Sequence, residues 1–84
     1  MGRVVKIRLD QERIASLVAE KGRHVHTAIG YLSTWAIGGY DQVTIWPDRD
    51  PEDMVAEYRD TKTDRVYVIG AVWDSDRQEY GFHS

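Results

Sequence analysis

The sequence predicts an α+β domain of two layers, an antiparallel sheet of about five strands carrying one or two helices on one face. Three observations lead there. The run from Arg65 to Trp73 reads R-V-Y-V-I-G-A-V-W between two turn-like clusters, 60 to 64 and 74 to 78, as a strand between two hairpins does. The opening, Arg3 to Leu9, alternates apolar and basic residues. Between these, Ile14, Leu17, Val18 and Lys21 recur at helical spacing.

Taken in order, residues 3 to 9 form a half-buried strand, with Val5, Ile7 and Leu9 on one face and Val4, Lys6 and Arg8 on the other. Asp10 ends it and can cap the N–H groups of a helix over 11 to 21, which Gly22 closes. Residues 24 to 37 fit two patterns. Val25, Ala28, Ile29, Leu32 and Ala36 follow a helix, whereas Val25, Thr27, Ile29 and Tyr31 alternate as a strand would. Helix is favoured, broken from the first near Gly22, because one helix over 11 to 37 would be about 40 Å long. Val43 to Trp46 is a short strand stopped by Pro47, 48 to 51 is a turn, and Asp53 to Arg59 is the next strand. The central run and a last strand, Glu79 to His83, complete a C-terminal meander. Four-residue loops at 61 to 64 and 75 to 78 would set Tyr58 opposite Tyr67, Ala56 opposite Ile69, Trp73 opposite Tyr80 and Ala71 opposite Phe82.

The chain is a single domain, 1 to 84, near the lower size at which one core offsets the entropy of folding. With 42% hydrophobic and 30% charged residues and no low-complexity tract, its composition is that of a globular protein rather than a disordered one. The absence of cysteine excludes disulfides and thiolate metal sites. No apolar stretch approaches the roughly 20 residues of a membrane helix, and the opening lacks the apolar core of a signal peptide, so a cytoplasmic protein is expected. The net charge of −3 is unevenly spread: residues 1 to 40 hold six basic side chains against three acidic, and 41 to 84 five against eleven. A dipolar surface follows.

The sequence has no phosphate-binding glycine loop, no G-x-S-x-G and no H-E-x-x-H, so no catalytic residue, cofactor or metal is assigned. His24 and His26, with distant His83, are the only trio suggesting a metal or a catalytic base. At i and i+2 the first two converge only on a strand, so surface histidines are the simpler expectation. Asp48, Asp50, Glu52 and Asp53 invite calcium. An EF-hand counted from Asp48 would need glycine at position 53 and glutamate at 59, where Asp53 and Arg59 stand. Arg3, Lys6, Arg8, Arg13, Lys21, Arg23 and His24, beside Tyr31 and Trp35, suggest a nucleic-acid strip, but Glu12 and Glu20 interrupt it and the pI of about 5.5 opposes it.

What remains is the acidic second half and an aromatic content of 11%, rich for a chain in which some rings must lie near the surface. The expected role is non-enzymatic binding of another protein, as small inhibitors, immunity proteins and phage-encoded blockers do, through Trp46, Asp50, Asp53, Tyr58 and Trp73. The run 65 to 73 is apolar on both faces, and one helical layer covers only one, so a homodimer, a partner or a curled sheet is expected to cover Val66 and Val68. The alternatives are a small metal- or ligand-dependent enzyme using His24 and His26, and nucleic-acid binding through the basic half.

Overall fold

The computed structural model describes residues 6–34, 39–50 and 52–84. The elements follow in the order β1 (Lys6–Leu9), α1 (Gln11–Lys21), α2 (Arg23–Thr34), β2 (Gln42–Pro47), β3 (Met54–Asp60), β4 (Arg65–Asp74) and β5 (Glu79–His83). The expected strand residues Arg3, Val4 and Val5, and Trp35, Ala36 and Ile37 of the second helix, lie outside the described residues. Among those described, no helix is long and apolar enough to cross a membrane.

The five strands lie side by side in chain order. The sheet is mixed rather than wholly antiparallel: β1 runs parallel to β2, and the other three pairings are antiparallel. The two helices between β1 and β2 are the cause, because a crossover lets the chain re-enter the sheet in its starting direction, which a hairpin cannot do. Both helices lie on one face, α1 against β2 and α2 against β5.

Asp10 caps α1 as its position suggests, accepting the Arg13 N–H at 3.3 Å. Gly22 ends the helix with φ 64° and ψ −141°, a backbone state that only glycine adopts without strain, and the chain turns directly into α2. The ambiguous segment is helical. Its hydroxyls fold back onto the preceding turn, Thr27 to the Arg23 carbonyl, Ser33 to that of Ile29 and Thr34 to that of Gly30, which satisfies them inside a sequence of poor helix formers. Burial of Val25, Ala28 and Leu32 on one stripe then outweighs propensity.

Against that stripe and Ile14 and Leu17 of α1 lie Val43, Ile45, Met54, Ala56, Tyr58, Ile69, Ala71 and Tyr80 of the sheet. All four predicted cross-strand pairs form: Tyr58 with Tyr67, Ala56 with Ile69, Trp73 with Tyr80 and Ala71 with Phe82. Both hairpin loops have the expected four residues, and each ends on a residue with positive φ, Asp64 at 59° and Gln78 at 56°. Aspartate tolerates that state well, glutamine poorly. Gln78→Gly is therefore expected to raise stability by about 0.5–1 kcal/mol in a urea titration, despite losing the bond from Gln78 Nε2 to the Ser75 carbonyl. An unchanged or lower midpoint would show that this bond outweighs the backbone strain.

Candidate functional site

The register divides the expected binding residues between the two faces of the sheet. On the outer face, away from the helices, Trp46, Val55, Gly70 and His83 form one row across β2 to β5, and Thr44, Glu57 and Val68 form the next. Val66, Val68 and Val72 are 45%, 45% and 42% exposed on this face. The described chain places no second layer over them.

Tyr58 belongs to the core instead. It is 1% exposed, and its hydroxyl donates to the Leu32 carbonyl at 2.5 Å, tying β3 to the last turns of α2. Burial, and secondarily the neighbouring Tyr67, pushes its pKa up to about 12. Its even-numbered register with Met54 and Ala56 turns it toward the helices, which corrects its assignment to the binding surface.

Trp73 also lies on the helix side, half-buried. Its ring meets the edge of His24 at 5.7 Å and that of Tyr80 at 5.0 Å, and Lys21 Nζ sits 4.7 Å from its centroid. The same lysine reaches Glu52 at 3.2 Å, and the Tyr80 hydroxyl donates to the Glu52 carbonyl at 2.9 Å. Tyr80 is pushed up to about 12 by burial first and then by the negative charges of Asp53, Glu52 and Glu20. Asp53 accepts the Trp73 N–H at 2.9 Å, an internal brace between the β2–β3 turn and β4. Trp73 and Asp53 thus anchor the junction of helices and sheet.

Asp50 is exposed and accepts the Glu52 N–H at 3.1 Å. Asp48, Asp60 and Asp74 bond nearby backbone N–H groups in the same way, the turn role that favours aspartate. Apart from Glu57 in mid-sheet, the acidic residues of the second half separate into two groups. Asp48, Asp50, Glu52 and Asp53 lie at the sheet end that also holds Asp74, Asp76 and Glu79, while Asp41, Asp60 and Asp64 lie at the opposite end. There Asp41 receives the Thr61 N–H and hydroxyl, and Asp64 pairs with Arg59 at 2.5 Å.

His24 and His26 are both exposed on α2, where a spacing of two residues turns them about 200° apart. His83 is on the outer face of β5, and among the described residues no cluster of three metal-ligating side chains occurs. The basic strip is dispersed too: Arg8 pairs opposite Thr44 on the outer face, Arg13 and Arg23 are exposed on the helices, and Lys21 is engaged with Glu52 and Trp73.

A feature the sequence did not announce is an open cleft of about 410 Å³ on the helix side, lined by Tyr40, Tyr58, Tyr67, Ile69, Phe82, His83 and Ser84. Tyr40 and Tyr67 stack with ring centroids 6.4 Å apart, and Tyr31 stacks on Phe82 at 5.5 Å. The pairing of Tyr58 with Tyr67 is legible from the hairpin, but nothing local places Tyr40 beside them. A mixed five-stranded α+β sheet, open on one face and carrying an aromatic cleft on the other, is therefore the class that fold and site define. Comparison with known protein families, characterised proteins and solved structures finds no match to this chain.

Proposed function

We propose that this chain is a small non-enzymatic protein-binding module, of the inhibitor, immunity-protein or blocker kind, acting through the outer face of its sheet. The observation that carries the proposal is the exposure of Val66, Val68 and Val72 on one face of β4, with no second layer above them among the described residues. Gly70 and Gly81 lie among these side chains and keep the surface low, and an added Cβ at either would meet nothing closer than 3.7 Å, so close approach is their contribution rather than internal fit.

Charge selects the partner. At the Trp46 and Val72 end, Asp48, Asp50, Asp74, Asp76 and Glu79 outnumber Arg49 and Arg77. An apolar centre rimmed by carboxylates suits a protein surface whose own apolar patch is flanked by lysine and arginine, with the rim setting association rate and orientation. Trp46 and Asp50 keep the roles expected of them, Val72 and Asp76 join them, and Asp53, Tyr58 and Trp73 act as internal supports.

Pull-down from the native host with mass spectrometry tests this, using the wild type, a Val72→Lys/Asp76→Lys variant and His26→Ala as a control on the helix layer. A partner recovered by the wild type and the control but lost by the double variant is expected, with purified partner binding the variant at least about tenfold more weakly. An identical partner list for all three proteins would sink the proposal.

A further inference from the structure

Two glycines on the outer face are not required by anything among the described residues. Gly70 and Gly81 stand inside β4 and β5, where the ladder runs without a bulge. Neither lies in the left-handed backbone region, and an added Cβ would meet nothing closer than 3.8 Å at Gly70 or 3.7 Å at Gly81. Glycine weakens a strand interior, so alanine would serve the sheet itself better. What the two positions provide is a depression between Val68 and Val72, bordered on the β3 and β2 side by Val55 and Trp46. Strand glycines of this kind mark a surface that another group approaches closely.

The shape of the apolar area decides what can approach. Val66, Val68, Gly70 and Val72 form a track along β4, about 20 Å long at roughly 3.3 Å per residue. Beside Val66 and Val68 the outer positions of β3 and β2 are polar, Arg59 and Gln42 in one row, Glu57 and Thr44 in the next. There the apolar strip is one strand wide. With strands about 4.8 Å apart, a second sheet would lay its apolar face over those polar side chains, whereas a helix about 10 Å across meets the strip with a single stripe. At the end of the track Asp74 and Glu79 stand directly opposite each other. Carboxylates so placed repel, and Arg77 reaches Asp74 only at 3.9 Å. A cation from outside would relieve that repulsion.

We propose that the outer face takes an amphipathic helix of a partner protein, laid along β4, with a bulky apolar side chain in the Gly70–Gly81 depression and a lysine or arginine over Asp74 and Glu79. The inference rests on the outer face being the binding surface and names the form of its ligand. A second copy of this chain supplies no such helix, because Ile14, Leu17, Val25, Ala28 and Leu32 commit the stripes of α1 and α2 to its own core.

The probe is a capped peptide of about four helical turns, with leucine repeating at i, i+4 and i+7 and lysines in its last turn. A cross-link on its polar face holds the helix, since so short a peptide is a marginal helix in water. Backbone amide signals of the protein are followed by NMR during titration. Saturable shifts centred on 66–72 and Gly81 are expected, and none with the same peptide broken by a central proline. Gly70→Ala/Gly81→Ala is expected to weaken binding about tenfold while the urea midpoint holds or rises, a combination that a merely structural role would not give. Glu79→Lys is expected to weaken binding of the lysine peptide and to favour one ending in glutamates. No saturable binding, shifts centred on the helix layer, equal binding of the proline peptide, or an unchanged affinity or a lowered midpoint in the double alanine variant would each overturn the proposal. So would sedimentation as a dimer with the outer-face amides already protected, which would make a second copy the occupant. A partner captured through the outer face, with no peptide bound, removes the helix and leaves the module standing. An unchanged partner list in the pull-down removes the module itself.

Discussion

Leu32→Ala is expected to destabilise the domain by about 2–5 kcal/mol in a urea titration at fixed protein concentration. Leu32 is fully buried on α2, in the same stripe as Val25 and Ala28 and facing the tyrosine and aliphatic side chains of the sheet. Its truncation removes apolar contact and leaves a cavity that a helix fixed at both ends closes only in part. One of those ends is the Tyr58 hydroxyl on the Leu32 carbonyl, the other the tight Gly22 turn. At roughly 0.05–0.15 kcal/mol per residue, a chain of this size has only about 4–13 kcal/mol of stability, so this one change consumes a large share. The exposed control Tyr31→Ala should cost less. A loss below about 1 kcal/mol for Leu32→Ala would mean that α2 contributes little to the core.

Alkaline pH is expected to unfold the domain through two tyrosines. Tyr58 and Tyr80 are neutral groups whose ionisation burial resists, each raised from 10.0 to about 12. A pKa raised in the folded state contributes stability that is fully present below the unfolded value and is lost as pH rises through the folded one. The unfolded chain begins to release these protons near pH 10, so stability should fall between pH 10 and about 12 by on the order of 2–3 kcal/mol for each tyrosine. Urea midpoints measured from about pH 9 upward should therefore drop steeply. Tyr58→Phe should flatten the drop while costing about 1–2 kcal/mol at neutral pH, because the Leu32 carbonyl loses its donor. A midpoint that stays level through pH 11, or an unchanged slope in the phenylalanine variant, would contradict the role of these hydroxyls.

Much of the sheet was legible because its signals are local. The loops at 61–64 and 75–78 set the hairpin register, and the register set which side chains meet, so Tyr58 with Tyr67 and Trp73 with Tyr80 followed from counting. The Asp10 cap and the Gly22 stop were legible for the same reason. The parallel pairing of β1 with β2 was not, since its partners are separated by two helices and no short-range pattern reports strand direction. The helix at 23–34 lay in between: both periodicities were present in the sequence, and contact with the sheet decided between them.

The expected binding residues divide along the same line. Tyr58 and Trp73 are aromatic and polar-tipped, properties that serve a surface and a braced core equally well. Only the three-dimensional placement of Leu32, Lys21 and Asp53 around them shows which role each one has. Asp53 resembled its acidic neighbours in sequence, yet it alone holds the Trp73 N–H, a contact made across 20 residues.

The sequence by itself determined that the run from Arg65 to Trp73 is a strand apolar on both faces, between two four-residue turns. That follows from alternation and turn chemistry, which act over a few residues. Only the tertiary structure decided that both helices cover the same face and that Tyr40 arrives beside Tyr67. Those features depend on where distant segments pack, and packing is set by the whole core. The helix placement is also what leaves the outer valines without a second layer among the described residues, and so what places the proposed binding surface.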